Sequence, residues 1–214
     1  MPTKKLRLII KIYQDVAVPR TVAYNQWTQL EDFPEFMKGV QSVELSGEGA
    51  EEGDITESSW TVKIGITTRQ FKAEVIEAVP DERIAWKSTG GPEHAGVVSF
   101  HSLDDNLTRV QVEMEYIPSD FIEKIGNIFL AARRKALKDL RLYKHYMELQ
   151  GEETGSWRGE ITPEEGEVPV VADEEDEDQA EAEEEDAQDQ GDAEAESDED
   201  EEAEEREEAT SGAS

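Results

Sequence analysis

Arg69 and His94 are the residues of this 214-residue chain whose type and position could do chemistry. Arg69 has the parity of Phe71, Ala73 and Val75, so a regular strand would turn it toward an apolar face. A guanidinium there would hold a carboxylate, an enolate or a carbonyl oxygen. A turn over Gly65–Thr68 would instead leave Arg69 at a strand end in water. His94 has the parity of Gly96, Val98 and Phe100, where an imidazole could act as general acid or base. A hydrogen-bonded structural histidine is the competing reading. Large rings surround both: Trp60 shares a face with Val62 and Ile64, Trp86 with Ile84, and Tyr116 with Val112 and Met114. With Trp27, Phe71, Phe100 and Phe129 they are candidate ligand-binding residues, although core packing alone produces the same pattern.

Other chemistries lack their residues. There is no cysteine, which excludes a Cys-His nucleophile, a thiolate metal site and a disulfide framework. His94, His101 and His145 have no metal-ligand spacing, and no glycine-rich phosphate loop occurs. Asp104-Asp105-Asn106 lacks the rest of a calcium loop and reads as a hairpin turn. No metal and no organic cofactor is expected, and no motif fixes a catalytic residue. Enzyme and binding protein both stay open.

The elements that must position these residues follow from periodicity. Leu6, Leu8, Ile10 and Ile12 alternate with polar residues as a half-buried strand does. Pro19 suits a helix start, and Ala23, Trp27 and Leu30 mark one helical face. Asp32 with Glu35 resembles a capping box for a second short helix anchored by Phe33 and Phe36. Six strands follow, separated by short turns such as Pro80-Asp81-Glu82, and predict an antiparallel sheet with one wet face. Apolar residues from Phe121 to Met147 then recur at helical spacing, predicting a helix over Ser119–Gln150 that Gly151 stops. The fold class is α+β: a curved antiparallel sheet of about seven strands around a long C-terminal helix, with two short helices after the first strand. A bent sheet with a single long helix leaves a gap wide enough for a ligand.

Val22–Val43, VAYNQWTQLEDFPEFMKGVQSV, resembles the opening of the polyketide cyclase/dehydrase group of the START-like, or helix-grip, superfamily. Trp86 before Gly90-Gly91, the run His94–Phe100, Thr108-Arg109 and Tyr116-Ile117-Pro118 support the same family. Glu153–Gly159 looks like a tail extension of its actinobacterial members. The chain is similar also to coenzyme Q-binding proteins. The resemblance covers roughly the first 160 residues. It implies a container that binds or carries an apolar molecule of lipid, quinone or polyketide-like type. It also admits an aromatase/cyclase that folds a poly-β-keto chain without metal or cofactor.

Charge divides the chain. Met1–Gln150 holds 23 acidic and 19 basic residues, whereas Gly151–Ser214 holds 30 acidic and 2 basic. The first 150 residues suffice for one core. Residues 151–172 read as a linker extension and 173–214 as a disordered acidic tail, because no apolar residue larger than alanine follows Val171 to offset the ordering entropy. Such a tail suits a basic protein partner, which gives a third reading: an interaction protein acting through its tail. Arg134, Lys138, Arg141 and Lys144 form a basic stripe, by default a solvated face or a receiver for the tail. Nucleic acid is not expected, because the tail would repel phosphates. The basic-then-apolar N-terminus is too short in its apolar run for a signal peptide. No segment approaches the ~20 apolar residues of a membrane span, and a cytoplasmic location is expected.

Overall fold

The computed structural model describes residues 7–163 apart from 48, 51–52, 65–66, 92 and 117–124, with the side chains of 64, 125–129 and 131 also outside it. The chain runs β1 (Leu8–Val16), α1 (Arg20–Trp27), a 3-10 turn (Leu30–Asp32), α2 (Phe33–Phe36) and β2 (Val40–Ser46). It continues as β3 (Glu57–Ile64), β4 (Thr67–Val79), β5 (Arg83–Gly90), β6 (His94–Asp104), β7 (Leu107–Tyr116) and α3 (Ile125–Gln150). Ser119–Lys124, read from sequence as the start of the last helix, lies outside the described residues.

Alternation of branched and polar residues makes seven strands, all paired antiparallel in the order β1-β7-β6-β5-β4-β3-β2. The first strand therefore docks on the last, Ile12 opposite Val112. Register shifts in β2–β3, β4–β5 and β6–β7 sharpen the bend of the sheet. The α+β, helix-grip arrangement expected from the pattern is the observed one.

The core fills the concave side. Ile10, Ile12, Val98, Val110 and Val112 of the sheet meet Leu140, Tyr143 and Met147 of α3, all buried. Tyr143 donates its buried hydroxyl to the carbonyl of Ala23 at 2.7 Å, tying α3 to α1. Burial pushes that phenol well above its usual value. Lys144 donates to the Asp15 carbonyl at 2.7 Å, so this member of the basic stripe fastens α3 to β1. Gly151 ends α3 with φ +73° and returns its N–H to Met147 O at 2.8 Å, as a left-handed cap does.

Two local expectations change. Asp32 does not cap α2: the 3-10 turn already holds it at helical φ and ψ, and no side-chain cap bond forms. Its carboxylate instead accepts from Gln26 and Thr154.

The second change concerns the residues read as a linker after Gln150. Asn25 and Gln26 on α1 and Thr28 just after it are buried polar residues, and residues 153–158 supply partners for them. Asn25 donates to Glu153 and accepts from Arg158, both at 2.8 Å. Gln26 Oε1 accepts from Thr154 N, and Thr28 Oγ1 from Trp157 N, each at 2.9 Å. Arg158 then clamps Asp81 through two bonds of 3.0 and 2.9 Å. That guanidinium holds the Asp81 carboxyl below its usual value. Ile161 exchanges both backbone bonds with Ala78 and covers the edge of β4 beyond the end of β3. The segment is a strap lashed across α1.

Candidate functional site

Between the concave sheet and the helices lies a cavity of about 280 Å³. That is nearly twice the ~150 Å³ of an apolar protein cavity able to take up benzene. The inward residues of five strands form one wall: Ile12 of β1, Ser58, Trp60 and Val62 of β3, Phe71, Ala73 and Val75 of β4, Ile84 and Trp86 of β5, Val112 and Met114 of β7. Trp27, Phe33, Met37 and Val40 close one side, and Ala132, Ala136 and Leu140 of α3 another. Ser58, His94, Lys135 and Asp139 are the polar side chains among the described lining.

A continuous run of rings braces this wall. Trp27 meets Phe33 edge-on at 5.4 Å, and Phe33 meets Trp60 at 5.5 Å. Trp60 stacks on Phe71 at 6.0 Å with planes 4° apart, and Phe71 meets the His94 ring edge-on at 4.6 Å. Trp60 donates its indole N–H to Ser58 at 2.8 Å, so both polar atoms of this stretch are matched inside the wall. His94 donates its backbone N–H to Ser88 at 3.0 Å, which sets the start of β6.

Gly96 makes room for Trp86. The two residues pair across β5–β6, and a Cβ at position 96 would lie 2.5 Å from the indole and 2.9 Å from the Glu113 carbonyl. Gly96→Ala is therefore expected to push the indole off its seat at a cost of about 1–3 kcal/mol, typical of overpacking. Tryptophan emission should shift, and affinity for an apolar probe such as naphthalene should fall about fivefold or more, roughly 1 kcal/mol. An unchanged spectrum with unchanged binding would disprove this bracing.

Of the residues singled out from sequence, Trp27, Trp60, Phe71, Trp86 and His94 line the cavity together. Arg69 does not. It pairs with Val62 and so shares the cavity-side face, but it stands in Thr67–Gln70, where four consecutive residues are exposed. Parity thus gives its side of the sheet, while its exposure is that of a strand end rather than of the lining. Phe100 is buried but sits behind the cavity, edge-on to Tyr24 at 5.4 Å and Trp27 at 6.2 Å. Tyr116 is half-buried at the last paired level of β7, opposite Leu8 and His94, outside the lining. The side chain of Phe129 lies outside the described residues.

Sequence reasoning missed Met37, Ser58, Lys135 and Asp139. Ser58 shares the parity of Trp60, which was signal enough. Lys135 and Asp139 flank the apolar stripe of α3 at a spacing of four, and only that spacing marked them. No group of His, Asp or Glu among the described residues is placed to hold a metal ion.

Fold and cavity define a helix-grip protein with an internal apolar cavity. Residues 16–141 match the family described as polyketide cyclase / dehydrase and lipid transport, and the chain belongs to that family. A 17.2 kDa uncharacterised protein of Streptomyces lincolnensis is 41% identical over 148 residues, which cover 69% of this chain and 94% of the relative. Among solved structures, a Thermus thermophilus protein is similar with TM-score 0.58 at 16% identity, over 68% of this chain and all of the other. The Zhui aromatase/cyclase from Streptomyces sp. R1128 gives 0.56 at 13% identity, over 71% of this chain and all of the other. A START superfamily protein from Mycobacterium smegmatis gives 0.52 at 14%, over 66% and 95%. At these identities the likeness is one of fold.

Proposed function

We propose that this protein binds and carries an apolar small molecule, of lipid, quinone or polyketide-like type, in the cavity between its sheet and α3. The carrying observation is the cavity wall: 280 Å³ enclosed by aromatic and aliphatic side chains with few polar ones. Burying apolar ligand surface there gains about 25 cal/mol per Å² before ordering costs. Membership of a family described by polyketide cyclase, dehydrase and lipid transport supports the same reading. Trp27, Trp60, Phe71, Trp86 and His94 are the proposed contacts. Native mass spectrometry of freshly purified protein is expected to show a co-purifying apolar molecule, or uptake of one from a panel of lipids, quinones and polyaromatics. Failure to take up any of them would overturn the proposal.

An aromatase/cyclase activity is the alternative, and one observation favours it: His94 stands on the cavity wall with a ring able to move a proton. Arg69, exposed on the same face as Val62, is the second candidate residue for that reading. Turnover of a poly-β-keto substrate that survives His94→Ala would remove the role. For the acidic segment we propose a basic protein partner rather than nucleic acid, in a cytoplasmic setting. Its support is 24 acidic positions among the 36 from Asp173 to Glu208. No helix of the described residues is long and apolar enough to cross a membrane.

A further inference from the structure

Two of the polar side chains on the cavity wall carry opposite charge. Lys135 and Asp139 lie four residues apart in α3, so they meet on one flank of the helix, next to the lining residues Ala136 and Leu140. The ammonium donates to Asp139 Oδ2 at 2.9 Å, and Asp139 is only 8% exposed. The Lys135 side chain keeps 25% of its surface exposed, so the pair is only partly desolvated and its ammonium can still reach a further partner.

The loop before β2 is shaped to admit the ammonium. A Cβ at Gly39 would lie 1.2 Å from Lys135 Nζ, so the ammonium occupies the space that any other residue at 39 would fill. An ammonium has three N–H donors, of which Asp139 accepts one, and each carboxylate oxygen accepts more than one bond. The pair is neutral as a unit and offers the cavity a donor beside an acceptor.

A hydrocarbon end placed there would shut water out and leave both groups short of partners. A carboxylate end would compete with Asp139 for the same ammonium and face its charge. A hydroxyl both accepts from Lys135 and donates to Asp139. Resting on the container reading, we infer that the Lys135–Asp139 pair recognises a neutral hydroxyl, alcoholic or phenolic, on an otherwise apolar ligand.

Isothermal titration of the full-length protein with naphthalene, 2-naphthol and 2-naphthoate tests this on one skeleton. The comparison protein is the double variant Lys135→Met, Asp139→Leu, which removes both charges and strands neither. The native protein is expected to favour 2-naphthol over naphthalene by about tenfold, the worth of one to two hydrogen bonds, with 2-naphthoate the weakest. In the double variant that preference should vanish while naphthalene binds as well or better. A second variant, Gly39→Ala, shifts the ammonium from its place beside the cavity without altering either charge and should weaken the preference. An equal preference in native and variant proteins would overturn the inference and leave the container intact. No binding of any probe to the native protein would remove the container and the inference with it.

Discussion

A chain ending at Gln150 is expected to melt about 10 °C below one ending at Pro163, although the shorter chain keeps every strand and helix of the described residues. The strap it lacks makes the hydrogen bonds of Glu153, Thr154, Trp157 and Arg158 to α1, the Arg158 clamp on Asp81 and the backbone pair of Ile161 with Ala78. Each such bond contributes about 0.5–1.5 kcal/mol net. Half-buried Trp157 and Ile161 add apolar area against the core. Ordering the strap offsets much of this. The expected net loss is about 4 kcal/mol, a large share of the ~5–15 kcal/mol that stabilises a domain. At ~2–4 °C per kcal/mol for a chain of this size, the shift is about 8–16 °C. Arg158→Ala in the longer chain should cost only about 1 kcal/mol, because its ion pair with Asp81 is partly exposed and screened. Calorimetric melts of the three chains decide the matter. Coincident transitions would mean that the strap rests on α1 without stabilising it.

The strap also shows where reading the sequence runs out. Period-two alternation located most of the strands through their covered face, whereas β2, with Val40, Val43 and Leu45, does not alternate strictly. At Arg69 the same parity gave the cavity-side face, that of its partner Val62, but not that this end of β4 is exposed. For Phe100 and Tyr116 parity gave the correct side of the sheet and no depth along it. The helical stripe from Ala132 to Met147 was legible, whereas Lys135 and Asp139 beside it look like any solvent-facing pair at a spacing of four. Asn25, Gln26 and Thr28 look like the wet face of an amphipathic helix. They are buried because a segment some 130 residues later supplies their partners, and polar pairing at that separation has no period. Resemblance alone drew attention to Glu153–Gly159, without saying what it touches.

Filling the cavity should separate its role in binding from its role in folding. Ala73 faces it from β4, opposite Ser58 on β3 and Ser88 on β5, with Phe71 and Val75 above and below on the same face. Ala73→Phe places a phenyl in the space where a ligand ring would lie, and Val112→Phe does so from β7. Naphthalene affinity is expected to fall at least about 30-fold, or ~2 kcal/mol. The melting temperature should hold or rise, because a void lined by carbon atoms forfeits contacts that the new ring restores. Overpacking would instead lower it by the equivalent of about 1–3 kcal/mol, and two positions guard against that outcome. Opposite signs for binding and stability are what a container predicts. A core whose cavity is incidental would gain stability with no ligand to lose, and a ligand held elsewhere would bind both variants as tightly as the native protein.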